Sequence, residues 1–446
     1  MELKSDQAKA FEKLKVFLNQ GGGGFFLLSG AAGTGKTYLM REVVEYIQST
    51  SDRQIVLTAP THKAVKVLQR FTPDKVDCMT IHSALALTEY IDGHGNVTFK
   101  RQNGKIAKLV DYHILIVDES SMIPDIVFYD LTEFVNTGMK IIFLGDPFQL
   151  PPVNNQESLV FEKDTQIKYN FQIAYLQEII RQQKDSPIIK FAHTFKNAIY
   201  KPVVTFDPLN DITPFGEVRY ASRRDVRGLT DEILPFFESD MFKADPDYIK
   251  IVAWRNTTVK SYNRLIREHL FGDNLPGLIV GDKIIFTQPV LDGNRVLISI
   301  NDEGEILELT IEDEEIDDGV TLKCYKAVVR IQKELSIYNN YSIKIVHEDS
   351  IGDYQDIITL LKKYALQQKQ GSFYARNAWI DYYEFQKRFA QVLHNYSITA
   401  HRAQGSTYEN TIVMLYDALY NKNVYERNRL IYTAVTRASH RLWVVE

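Results

Sequence analysis

The amino-acid sequence predicts an α/β protein built on parallel sheets, and three observations carry that prediction. The first is Gly30-Ala-Ala-Gly-Thr-Gly-Lys-Thr37, which follows the apolar run Phe25-Phe-Leu-Leu28 and precedes a helix-like stretch over residues 38–47. The second is a set of four apolar runs, 25–29, 54–58, 114–117 and 140–144, alternating with helical segments. Near-continuous apolar strands of this kind belong to parallel sheets covered on both faces. The third is a later α/β unit starting near residue 165, with strands at 248–254, 397–400, 411–415 and 441–445 and helices at 257–270 and 425–438.

Taken in order, residues 3–19 read as an amphipathic helix capped by Ser5 or Asp6, which Gly21 to Gly24 terminate. The glycine loop then has the strand–loop–helix setting in which G-x-x-x-x-G-K-[ST] cradles phosphate. Gly30, Gly33, Thr34 and Gly35 shape the loop so that backbone N–H groups and the helix N-terminus face an anion. Lys36 is placed for the β- and γ-phosphates and Thr37 for Mg²⁺. Asp118-Glu119 end the run Ile-Leu-Ile-Val and supply one carboxylate for Mg²⁺ and one to polarise water. Gln149, beyond the next strand, is a candidate sensor of the γ-phosphate or of that water. The later unit has no second P-loop, so it is expected to complete the first site. Arg181 and Arg437 are its candidates to reach the phosphate.

Two insertions interrupt the alternation. Residues 87–100 read as a β-hairpin with a glycine turn, followed by Lys100, Arg101, Lys105 and Lys108. Residues 272–390 begin with short strands and regular turn signals, the pattern of a small barrel, and continue as a helical stretch over 353–394. Trp379, Tyr382, Tyr383, Phe385 and Phe389 there read as packing residues. The net charge is −5, but ten of the 57 acidic residues lie in 302–318, which reads as a solvated loop or hairpin. The rest of the chain carries +5, which permits a basic groove. Two cysteines, no signal-peptide pattern and no apolar run of about 20 residues point to a reduced, cytoplasmic protein without a membrane partner.

In this order the motifs resemble superfamily 1 helicases, most closely the small 5′-to-3′ branch that includes the Dda helicases of T-even phages and RecD-like enzymes. Gln7 matches that family's adenine-reading glutamine and 30–37 its motif I. Ala59-Pro-Thr-His-Lys-Ala64 matches motif Ia, Thr80-Ile-His82 motif Ib, Asp118-Glu119 motif II and Gly145-Asp-Pro-Phe-Gln-Leu-Pro-Pro152 motif III. Arg181 fits motif IV, Thr399-Ala-His-Arg-Ala-Gln-Gly405 motif V and Tyr432-Thr-Ala-Val-Thr-Arg437 motif VI. The resemblance implies two RecA-like domains, 1–164 and 165–271 with 391–446, clamping ATP and Mg²⁺. A separating pin would occupy 84–110 and an SH3-like barrel plus helices 272–390. It implies nucleotide contacts from Gln7 and Gly405. It implies contacts with single-stranded DNA from Pro60, Thr61, His62, Thr80, His82, Thr399 and His401, with Phe99 near the tip of the pin. Junctions between single and double strands, single-strand-binding or replication proteins, and action as a monomer complete that expectation. A translocase that strips proteins from DNA, or an ATP-gated loading module, fits the same ATPase motifs.

Overall fold

The computed structural model describes residues 3–446 except 73–75, 102–104, 153–154, 180–184, 209, 293–294, 318 and 335–336. The chain divides into two compact units. One comprises residues 1–86, 106–266 and 396–446, the other residues 87–105 and 267–395.

The first unit holds two six-stranded sheets. In one, β1 (Gly24–Gly30), β2 (Ile55–Ala59), β3 (Asp77–Thr80), β6 (Ile114–Val117), β7 (Lys140–Gly145) and β8 (Gln172–Leu176) lie in the order β3-β2-β6-β7-β1-β8. Every pairing in it is parallel. Consecutive residues of β1 cover opposite faces, as a fully buried strand requires. Phe25 stacks with Phe128, Phe143 and Phe171 on one side, and Phe26 meets Phe17 on the other. β8 pairs with β1 through Phe26–Gln172 to Gly30–Leu176, so the boundary expected at 164/165 falls inside this sheet.

In the other sheet, β9 (Asp211–Thr213), β10 (Gly216–Ala221), β11 (Ile249–Ala253), β19 (Ser397–Thr399), β20 (Tyr408–Met414) and β21 (Ala438–Val445) run β19-β11-β20-β21-β10-β9. All pairings but β9–β10 are parallel. The helix Val424–Val435 is buried from Asn428 to its end, and the helix Pro187–Asn197 packs against the same core.

The second unit contains the expected hairpin, β4 (Leu87–Ile91) and β5 (Val97–Arg101), joined around Asp92 and Asn96. Its main sheet is antiparallel, in the order β17 (Ile337–Val346), β16 (Val320–Glu334), β15 (Glu303–Asp317), β12 (Lys283–Phe286), β18 (Val392–His394). Ala390 N–H, just ahead of β18, donates to Lys344 O of β17 at 2.7 Å, and β12, β17 and Val392 share one core, while β13 (Val290–Asp292) pairs with β14 (Arg295–Ile298) as a separate ribbon. β18 pairs with β12, so the insertion continues past residue 390. The stretch expected to be helical is two helices, Ile351–Gln367 and Phe373–Lys387, followed by this strand. The acidic run is one arm of the β15–β16 hairpin. Cations compensate part of its charge: cross-strand Lys283 and Arg330 at Glu305, and Lys344 of β17 with Arg388 at Glu314.

Candidate functional site

The glycine loop lies between β1 and the helix Lys36–Thr50. Gly35 caps that helix at φ +77°, a conformation open to glycine, and leaves the N-terminus clear for an anion. Lys36 Nζ donates to the carbonyls of Gly30 and Ala31 at 2.6 and 3.1 Å, and the Thr34 hydroxyl donates to Ala31 O at 2.9 Å. Gln7 is buried, with Oε1 accepting from Lys4 N–H and Nε2 donating to the carbonyl of Thr34 at 3.2 Å. Its amide therefore braces the loop. Asp6 does not cap its own helix; its Oδ2 accepts from Gln177 N–H and Glu178 N–H, both at 2.7 Å, just past the edge strand β8.

Asp118 and Glu119 stand at the carboxyl end of β6. Burial first, and the charge of Glu119 second, push the Asp118 carboxyl up to about 7, with Lys36 pulling it back. A carboxylate short of positive charge and the Thr37 hydroxyl are hard oxygen donors, a set that fits Mg²⁺ sharing its remaining positions with water and phosphate. Glu119 adopts φ +51°, an uncommon conformation for a non-glycine residue. Arg437 Nη1 approaches Glu119 Oε1 at 4.0 Å. Three hydrogen bonds fix that guanidinium: Nε to Thr433 O, Nη1 to Ser406 O and Nη2 to Thr436 Oγ1, all near 3.0 Å. An arginine from the second sheet thus stands at the acidic pair of the first. Gln149 is buried, and its Oε1 has no hydrogen-bond partner among the described residues. Arg181 lies outside the described residues.

Motif spacing did not reveal what ties the two sheets together. The Tyr432 hydroxyl accepts from Ala32 N–H of the glycine loop at 2.8 Å and donates to Asp146 Oδ2 at 2.6 Å. Tyr432 and Asp146 are both fully buried. Gln404 Nε2 donates to Leu150 O at 2.9 Å, and Leu150 N–H donates to Thr433 Oγ1 at 3.1 Å. The bonds from Ala32 and Leu150 to the helix Val424–Val435 span 400 and 283 residues, beyond the reach of any local pattern. Gly405 faces Ala64, Thr61 and Glu119.

The residues expected at nucleic acid share one construction. Pro60 and Thr61 follow β2, Thr80 ends β3 and Thr399 ends β19. Each threonine hydroxyl caps a helix, accepting from Ala64 N–H, Ser83 N–H and Arg402 N–H respectively. His62, His82 and His401 fall on the first turns of those helices. Burial and the proximity of His62 hold the His82 imidazole below its usual pKa. Phe99 is 42% exposed and, on β5, pairs with Glu89 of β4, so it stands back from the turn and not near the tip.

The hairpin tip rests on the helix Phe373–Lys387. Gly95 has φ +82°, and a Cβ there would lie 2.5 Å from the Trp379 indole. Tyr383 Oη donates to Gly95 O at 2.8 Å, Gly371 N–H donates to Gly93 O at 3.1 Å, and Lys387 pairs with Glu89. Trp379 is 5% exposed, consistent with packing.

Two parallel sheets, one glycine loop and an arginine from the second sheet at the acidic pair of the first define a P-loop nucleotide-binding protein. The matching family models are an AAA domain over residues 2–201 and a UvrD-like helicase C-terminal domain over residues 394–445. The chain is 26% identical to the ATP-dependent DNA helicase Dda of Enterobacteria phage T4, over 94% of this chain and 93% of that one. It is 30% identical to the ATP-dependent RecD2 DNA helicase of Deinococcus radiodurans over 43% of this chain and 23% of that one. A solved structure of Pif1 helicase from Bacteroides in complex with ADP-AlF3 and single-stranded DNA aligns with a TM-score of 0.47 at 16% identity, covering 99% of this chain and 92% of that one. These sequence matches bear out the resemblance to superfamily 1 helicases of the 1B branch. Among the described residues no helix is long and apolar enough to cross a membrane.

Proposed function

We propose that this chain is an ATP-dependent DNA helicase that moves along single-stranded DNA, 5′ to 3′, and unwinds the duplex ahead of it. The sequence match to Dda along nearly the whole of both chains supports the class. The observation that carries the mechanism is the 4.0 Å approach of Arg437 to Glu119, because it joins both sheets at one reacting centre.

In this reading the loop amides and Lys36 hold the phosphates of ATP. Thr37 and Asp118 would hold Mg²⁺, which when bound would neutralise phosphate charge. Glu119 orients and polarises the attacking water, and the unpartnered Oε1 of Gln149 accepts a hydrogen bond from it. Arg437, with Arg181, meets the charge that develops on the γ-phosphoryl group. These contacts favour the closed arrangement of the sheets only while the γ-phosphate is attached. Hydrolysis removes that preference, since a ligand shifts an equilibrium only through differential affinity. Pro60, Thr61, His62, Thr80, His82, Thr399 and His401 grip the strand through phosphate and sugar without reading sequence. The β4–β5 hairpin, braced by Trp379 and Tyr383, splits the duplex as the strand is drawn past. Separating base pairs costs about 1.4 kcal/mol per step on average, so a loosely held wedge would yield before the duplex did.

Lys36→Ala tests the assignment. DNA-stimulated ATP hydrolysis should vanish while the far-ultraviolet circular dichroism spectrum stays that of the parent. Full turnover in the variant would place the reaction elsewhere.

A further inference from the structure

We propose that the carboxyl edge of the second sheet carries an additional single-strand site, a cleft around Arg223, Tyr416 and Tyr420 that stacks bases beyond the contacts expected at Thr399 and His401. The proposal rests on the helicase reading and extends it.

Topology places the cleft. β19, β11, β20, β21 and β10 are neighbours in that order and all parallel, so their carboxyl ends share one edge. In open α/β sheets this is the edge where ligands bind. Thr399 stands at its first strand, Arg255 follows β11, Tyr416 and Tyr420 follow β20, and Arg223 and Arg224 follow β10. Four strand spacings of about 4.8 Å put the far end roughly 19 Å from Thr399, the length of a few nucleotides.

Chemistry then selects the ligand. The cleft, of about 510 Å³, has Arg223, Arg224, Tyr416 and Tyr420 in its lining, over an apolar floor that includes Phe206. The Arg255 guanidinium lies over the Tyr420 ring at 4.4 Å, and that of Arg223 over Tyr416 at 5.6 Å. Arg255 is held flat by Asp417, whose Oδ1 accepts from its Nε at 2.6 Å and from Thr258 Oγ1 at 2.7 Å. Asp417 Oδ2 accepts from the backbone N–H groups of Trp254 and Arg255, both at 2.8 Å. Four donors therefore engage that buried carboxylate, and it offers little to repel an anion in the cleft. Glu446 is the acidic residue in the lining. Arginine planes layered on tyrosine rings, with further guanidinium charge alongside, suit a base on a phosphate backbone. Every base has a π face and every linkage a negative charge. The platform selects single strands, because duplex bases are already stacked.

The test is fluorescence anisotropy of the full chain with labelled oligothymidylates of about 8 and about 16 nucleotides, within the span of known single-strand sites. Tyr420→Ala and Arg223→Ala are the variants; both side chains are exposed and neither belongs to the ATP site. The parent should bind the longer oligonucleotide more tightly. Each variant should lose about tenfold on the longer one, within the range of one base–aromatic stack, and keep its affinity for the shorter. Variants that match the parent on both lengths, or weaken equally on both, overturn the proposal. A parent chain that binds neither oligonucleotide overturns the helicase reading, and this site with it.

Discussion

Tyr432→Phe removes a single oxygen and should slow the motor more than it destabilises the fold. That oxygen holds the glycine loop through Ala32 N–H at 2.8 Å and Asp146 Oδ2 at 2.6 Å. A hydrogen bond to a charged partner contributes about 1.5–3 kcal/mol, and the stranded Ala32 N–H adds about 1 kcal/mol more. Asp146 keeps the N–H of Phe148 at 3.0 Å, and phenylalanine keeps the edge contact with the Phe148 ring. The hold between loop and C-terminal helix should thus weaken by about 2.5–4 kcal/mol. Arg437 lies five residues further along from Tyr432, so a looser hold misplaces the guanidinium where charge develops. If about half of that energy is expressed at the transition state, steady-state ATPase should show kcat down roughly ten- to thirtyfold, with KM for ATP changed much less. Asp146→Asn in the same background should add little, because the two residues share one interaction. A lowered thermal midpoint with unchanged kcat, or fully additive effects in the double variant, would show the tie to be structural only.

Glu119→Gln should abolish turnover while ATP binding, measured by a fluorescent analogue, persists; retained turnover would remove Glu119 from its role. Arg437→Ala should lower kcat by about a thousandfold and KM for ATP only slightly, because its contact belongs to the transition state. Equal losses in both would make it a ground-state binding residue. Gly95→Val drives a side chain into Trp379 and should uncouple unwinding from ATPase: hydrolysis stimulated by single strands persists while strand separation falls. Phe99→Ala should have a similar but smaller effect, since its ring lies along β5; a loss of both activities together would put the hairpin in the strand path.

The first sheet was legible because its central strands are near-continuous apolar runs, whereas in the second Lys250 interrupts β11 and polar residues open β20 and β21, leaving only their apolar second halves to read. Ile114–Val117 coincides with the expected run, and β1 and β7 extend theirs by a residue or two. Edge strands were not legible. β3 is Asp-Cys-Met-Thr and begins exposed, and β8 leaves Tyr175 58% exposed, so neither shows the buried pattern. Missing β8 set the domain boundary too early. Regular turns implied a small barrel, and the antiparallel strands around one core, with Ala390 N–H bonded to Lys344 O, are the part of it that turn spacing could reach; the pairing order was not legible, because it depends on contacts far apart in sequence. For the site, the loop, the acidic pair and Arg437 could be read from local patterns, since each depends on a few consecutive residues. The Ala32–Tyr432–Asp146 tie and the Asp6 contacts with Gln177 and Glu178 depend on tertiary proximity, which no window of sequence contains.

The central claim is that hydrolysis at Lys36, Glu119 and Arg437 drives strand separation with a fixed direction. A fluorescent duplex carrying either a 5′ or a 3′ single-stranded overhang, mixed with the full chain, Mg²⁺ and ATP, tests it directly. Strand separation is expected from the 5′-overhang substrate alone, abolished by Glu119→Gln. ATP hydrolysis on single strands with neither duplex opened would contradict it and leave a translocase or an ATP-gated loading module in its place.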